Sequence, residues 1–189
     1  MNDQQRMNIG DEQISRMKQK KEYRRQERRG WILSLTAAIV VALLLRFFVF
    51  EFIRVEGRSM LPTLYSNEYV FMEKVTYRFS EPEYGDIVIC SYPHRSDTFV
   101  KRVIGTEGDV IRITDGVLYI NDVPNSDYFS DPINADMAPV TVSEDCVFVM
   151  GDNRNSSQDS RVVGELGYNM VLGRAVFVLW PLNQMHTLH

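Results

Sequence analysis

The 189-residue chain has only two cysteines and three histidines. His94, His186 and His189 are too scattered to form a zinc-ligand pattern with Cys90 or Cys146. No metal or other cofactor is expected. Cys90 and Cys146 lie in apolar, strand-like stretches, which reads as buried free thiols rather than a disulfide. Internal repeats are absent, so one compact domain with an accessory segment is the expected organisation. No strand pattern alternates with a long amphipathic helix, which excludes a parallel α/β sheet. The apolar and charged fractions, 44% and 24%, indicate neither disorder nor a polytopic membrane protein.

What is present begins with charge. The net charge of -4 hides an asymmetry, because residues 1–30 carry nine Lys/Arg against five acids while the remainder carries twelve against twenty. The basic head adjoins an apolar run, so no nucleic-acid partner is indicated. From Trp31 to Phe50 the chain reads WILSLTAAIVVALLLRFFVF, about the twenty residues a bilayer core requires. Arg46 is its one charge, near an end where the side chain can snorkel. A cleaved leader would need small residues where Arg46-Phe47-Phe48 stand, and a core helix would show a polar stripe. Three regions are expected: a basic cytoplasmic segment at 1–30, a membrane anchor at 31–50 and an extracytoplasmic β-rich domain at 51–189. Eight Lys/Arg between Arg16 and Arg29 set that direction by the positive-inside rule.

Beyond the anchor the pattern shifts to period two. Strands are expected at 50–55, 69–75, 86–92, 98–104, 110–114, 117–121, 146–150 and 173–179. Asp115-Gly116 supplies the positive φ angles of a type I′ hairpin turn. The fold class is mainly β: an antiparallel domain with one short helix after Ser59 and a long loop at 122–144.

Three segments carry chemistry. In Gly57-Arg58-Ser59-Met60-Leu61-Pro62-Thr63-Leu64, Ser59 reads locally as a helix cap, and the same turn exposes a hydroxyl beside free backbone N–H groups, as a nucleophile requires. In Phe99-Val100-Lys101-Arg102-Val103-Ile104, alternation places Lys101 with Phe99 and Val103, and Arg102 with Val100 and Ile104. A strand lysine is ordinarily solvated. This one has apolar flanks, and desolvation favours the neutral amine that a lysine base needs. The third segment, Gly151-Asp152-Asn153-Arg154-Asn155-Ser156-Ser157-Gln158-Asp159-Ser160-Arg161, has the composition of a surface loop. It also offers a hydroxyl for orienting an amine (Ser157) and carboxylates for neighbouring arginines.

In this order, these segments closely resemble the bacterial type I signal peptidase family. The resemblance runs from about Phe50 to Pro181 and includes Gly85-Asp86-Ile87-Val88, Gly173-Arg174-Ala175 and Trp180-Pro181. It implies a membrane-bound serine endopeptidase of the signal peptidase fold that removes signal peptides from exported preproteins. It further implies Ser59 as nucleophile, Lys101 as general base and Ser157 as the hydroxyl that positions the amine. Asp159 with Arg161, and Asp152 with Arg102, would form salt bridges that shape the site. Val55, Met60, Leu64, Phe99 and Val100 are candidate walls of shallow substrate pockets. Two departures stand out. Gly57 occupies a position where some members carry an oxyanion-donating serine, and the stretch between Gly108 and Asp145 is short, which reduces a second domain to a hairpin and loop. The alternatives are a Ser-Lys autopeptidase of the SOS-repressor type, which the anchor and the missing DNA-binding segment oppose; a sortase-like cysteine transpeptidase, for which no cysteine context exists; and an inactive membrane-anchored β module.

Overall fold

A computed structural model describes residues 3–127 and 132–188. The chain divides into two units, residues 1–46 and 47–189. The first unit is helical: α1 runs from Asp3 to Phe48 over 46 residues, about 70 Å at 1.5 Å per residue. Its segment Tyr23–Phe48 is long and apolar enough to cross a membrane, and its side chains are exposed. Val49 forms a turn and Phe50 opens the first strand, where its backbone pairs opposite Glu73. The last two positions of the expected anchor therefore lie outside the helix.

The second unit is antiparallel β throughout its described pairs. Its strands are β1 (Phe50–Arg54), β2 (Tyr69–Glu73), β3 (Ile87–Ser91), β4 (Thr98–Gly105), β5 (Val110–Thr114), β6 (Val117–Ile120), β7 (Val123–Asn125), β8 (Met137–Thr141), β9 (Cys146–Met150), β10 (Leu166–Gly167), β11 (Val171–Trp180) and β12 (His186–Thr187). The larger sheet has the order β1-β2-β11-β3-β4-β9-β10, with β12 on β11, and the smaller is β7-β6-β5-β8. Strand alternation divides the core. Ile87 and Ile89 of β3 pack into one cluster with Val55, Met60, Leu64, Val70 and Met72. Val88 and Cys90 of the same strand face a second cluster with Tyr92, Val103, Val147 and Val149. The smaller sheet closes a third around Ile104, Ile111, Ile113, Leu118 and Phe148. Each such side chain contributes roughly 1.5–3 kcal/mol by leaving water, which fixes the register on both faces of β3 and β4.

The sequence expectations need two corrections. Residues 122–144 are not one long loop. They contain β7 and β8, which flank the β5–β6 hairpin and complete the smaller sheet. Pro124 and Pro139 disguised these strands, and both occupy edge strands, where a missing N–H breaks no ladder. Nor does a helix follow Ser59, where the chain makes turns. One i→i+4 bond forms, from Leu64 N to Met60 O, while the Ser59 carbonyl accepts from Asn153 N at 2.9 Å. The hairpin turn follows expectation, with φ of 50° at Asp115 and 76° at Gly116.

Candidate active site

Ser59 sits in the loop between β1 and β2. Backbone bonds from Val55 N to Glu68 O and from Asn67 N to Val55 O close the base of that loop. Buried Met60 and Leu64 anchor it in the first cluster. Its outer side is tied to the segment after β9, because Asn153 donates from its backbone N to Ser59 O and from Nδ2 to Arg58 O. Gly151 makes this approach sterically feasible. A methyl group there would overlap both the Ser59 carbonyl and Ser157 Oγ.

Lys101 and Arg102 are consecutive on β4, opposite Val88 and Ile87 of β3. They point to opposite faces, and both are buried, at 2% and 1% exposure. Lys101 Nζ reaches Ser59 Oγ at 2.7 Å. Arg102 makes a bidentate pair on the other face, with Nε to Asp152 Oδ1 and Nη2 to Asp152 Oδ2 both 2.9 Å, and Nη1 donates to Gly85 O at 2.8 Å. The Thr63 hydroxyl donates to the same Asp152 carboxylate, and so clamps the Ser59 loop to it. Asp159 pairs with Arg161 through two 2.8 Å bonds and accepts from Gly151 N at 3.0 Å. Arg161 Nη2 also donates to Arg154 O. Breaking a pair buried this deeply costs about 3–5 kcal/mol, because a lone charge is left in the core.

The geometry therefore joins Ser59 to Lys101, Arg102 to Asp152 and Asp159 to Arg161. It does not join Ser157 to the amine. Ser157 Oγ is buried against Gly151 without a hydrogen-bond partner. Of the five expected pocket residues, Val55, Met60, Phe99 and Val100 line a cleft of about 460 Å³ together with Ser59 and Lys101. Leu64 does not. It is fully buried in the first cluster, where it holds the loop rather than a ligand. Sequence reasoning missed Ile53, Arg54, Glu56, Asp97 and Thr98 of the cleft walls, and Thr63 as a clamp. Nothing in a strand end or a turn flags such positions locally. Gly85-Asp86 and Gly173-Arg174 now have physical roles. Asp86 forms an ion pair with Arg174 at 3.0 Å and accepts a hydrogen bond from the Tyr77 hydroxyl at 2.8 Å. Any side chain at Gly173 would strike the Glu73 carbonyl across β2.

Burial drives the Lys101 pKa below its ordinary 10.5, and Arg161 pushes it the same way. Asp159, Cys90 and Asp152 oppose that shift. Both carboxylates have their own arginines, so they stabilise the ammonium less than bare charges would. Both thiols are free, and burial pushes Cys90 up to about 12, which keeps it protonated and inert as a nucleophile.

The lowered pKa has a consequence for stability. Below the folded pKa, burying the ammonium costs its full desolvation. Between that pKa and 10.5 the unfolded chain binds the extra proton, so stability rises with pH across that window. Lys101→Met should therefore raise the thermal midpoint at neutral pH, with a gain that shrinks as pH approaches 10.5. Differential scanning calorimetry at several pH values measures it; a loss of stability at neutral pH would contradict the burial argument.

A family model described as signal peptidase, peptidase S26, matches residues 28–180. The chain is 42% identical over 153 residues to the probable thylakoidal processing peptidase 2, chloroplastic, of Arabidopsis thaliana, covering 76% of this chain and 42% of that one. It spans less than half the length of that peptidase and of thylakoidal processing peptidase 1, chloroplastic, of the same organism. It is 39% identical over 167 residues to signal peptidase I of Bacillus licheniformis, covering 82% of this chain and 90% of that one. A crystal structure of a signal peptidase I from Enterococcus faecalis V583 aligns with 50% of this chain and 97% of its own, at 32% identity and a TM-score of 0.45. With a serine and a lysine in hydrogen-bond contact at a cleft, a family model that spans residues 28–180, and a relative 39% identical over most of both chains, the chain belongs to the signal peptidase family, peptidase S26.

Proposed function

We propose that the chain is a membrane-bound serine endopeptidase that removes signal peptides from exported preproteins, with Ser59 as nucleophile and Lys101 as general base. The observation that carries this reading is the 2.7 Å contact between Lys101 Nζ and Ser59 Oγ, made by a buried amine whose pKa is lowered. The neutral amine accepts the Ser59 proton as Oγ attacks the scissile carbonyl. The proton then passes to the leaving amine, the mature protein departs, and an acyl-enzyme remains. A water molecule activated by the same amine hydrolyses the ester and frees the signal peptide.

The oxyanion needs donors that do not reorganise. Gly57 has no side chain to offer, and its φ of +90° disfavours any replacement. The Ser59 N–H has no intramolecular acceptor among the described residues, so it is free to donate to the oxyanion. The substrate has a natural seat. Among the described residues, Thr98–Val100 of β4 pair only with β3, and β1 pairs only with β2. Both unpaired edges border the cleft, so an extended peptide can add as a strand. Val55, Met60, Phe99 and Val100 leave shallow space beside the dyad, which suits small side chains before the cut. Ser157, whose hydroxyl is buried and unpartnered, is the group nearest in kind to an orienting partner for the amine in the working complex. Asp159 with Arg161, and Asp152 with Arg102, hold the frame.

The anchor is the apolar segment of α1, and the bilayer is its partner. The basic segment before it faces the cytoplasm and the β-rich unit lies outside, by the positive-inside rule. Enzyme and signal peptide then share one membrane surface, which confines their encounter.

Three measurements test this reading. Ser59→Ala and Lys101→Arg should each reduce preprotein cleavage by at least about a thousandfold in a folded protein, since guanidinium keeps its proton at all working pH values. For the wild-type chain kcat/KM should rise with pH up to the lowered Lys101 pKa and then level. Activity in Lys101→Arg, or a flat profile from pH 5 to 9, would remove lysine as the base. In right-side-out vesicles, added protease should degrade the β-rich unit and spare residues 1–30, and the reverse pattern would overturn the orientation.

A further inference from the structure

Tyr92 lies just beyond β3 and has no part in the chemistry described above, yet it is only 3% exposed. Its place follows from the register. Cys90 pairs opposite Phe99 and Val88 opposite Lys101. Period-two alternation therefore puts Val88, Cys90 and Tyr92 on the face that carries Phe99 and Lys101. Tyr92 and Phe99 are diagonal neighbours across the strand pair. Their rings stack with centroids 4.3 Å apart and planes 14° apart. Phe99 in turn lines the cleft, and the Lys101 amine lies 6.0 Å from its ring centre. At its other end the Tyr92 hydroxyl donates to the Gln158 carbonyl at 3.1 Å. Gln158 stands between Ser157, which packs against Gly151, and Asp159, the first of the charges that oppose Lys101 deprotonation.

We propose that Tyr92 is a positioning residue that couples the substrate cleft to the dyad: its ring backs the Phe99 wall, and its hydroxyl fixes the Ser157–Asp159 segment beside Lys101. This rests on the peptidase reading. Burial raises the Tyr92 pKa, so the phenol remains a donor throughout the working range. The two ends of the side chain do separable work. Losing the hydroxyl frees the Gln158 carbonyl, loosens the segment and lets water approach the amine. Losing the ring removes support for the cleft wall. The groups that act on Lys101 are Ser59, which touches the amine, Cys90 from β3, Asp159 and Arg161 from the segment after β9, and, through its charge from the Arg102 face, Asp152. Of these, Asp159 and Arg161 follow the tethered segment directly. Hydration of the amine stabilises its charged form, so loosening the tether raises the Lys101 pKa and moves the activity limb to higher pH.

The test compares wild-type, Tyr92→Phe and Tyr92→Leu chains, full length in detergent, on a preprotein over pH 6–10. Tyr92→Phe should keep KM within about twofold and lower kcat about three- to tenfold, the size of one hydrogen bond. Its acid limb should shift to higher pH, so that part of the lost rate returns in alkaline buffer. Tyr92→Leu should add a rise in KM and accept a larger residue before the cut. If Tyr92→Phe has the wild-type kcat and pH limb, the proposal fails, even if its melting temperature falls. Wild-type cleavage in the same assay separates that failure from failure of the peptidase reading; an inactive wild-type chain would overturn both.

Discussion

An amine can act as a base near neutral pH only where its ammonium form is denied water, and the architecture around Lys101 serves that constraint. Antiparallel strands flank β4, the loop that carries Ser59 covers the amine, and the segment after β9 closes over both. Carboxylates near the amine would return the proton to it. Two are close, Asp152 and Asp159, and each is held by an arginine of its own. The ion pairs thus do more than brace the fold. They keep the local charge balanced so that desolvation sets the protonation state of Lys101.

Register is the second requirement. Lys101 and Arg102 are adjacent in sequence and face opposite sides of one strand, so a single-residue slip would exchange them. Arg102 would then sit beside Ser59 and could not accept its proton. Isoleucines on one face of β3 and valine with cysteine on the other make that slip costly. Gly151 and Gly173 complete the arrangement, because each allows two backbones to meet where a methyl group would collide.

Most long strands were legible because they depend on local pattern, an apolar run followed by period two, whereas Ser59 and Lys101 read locally as a helix cap and a strand lysine and were singled out together by the family resemblance. The Asp152–Arg102 pair was legible through resemblance alone. The β7 and β8 strands were hidden because proline reads as a breaker until the strand is known to lie at an edge. The helix expected after Ser59 was lost to a tertiary hydrogen bond, in which the Ser59 carbonyl accepts from Asn153 and leaves the helical ladder. Leu64 reads as a pocket wall in sequence because apolarity near a serine does not say which side of the loop a side chain takes. Tyr92 carries no local signal at all, since its partners are Phe99 across a strand pair and a carbonyl 66 residues away.

The central claim is that Lys101 loses its proton more readily than an ordinary lysine. Direct titration by nuclear magnetic resonance of the ¹³Cε-labelled lysines, with Lys101 assigned by comparison with Lys101→Met, reads this without passing through activity. The account predicts one lysine whose signal titrates below the group near 10.5. A Lys101 signal that titrates together with the surface lysines would contradict it.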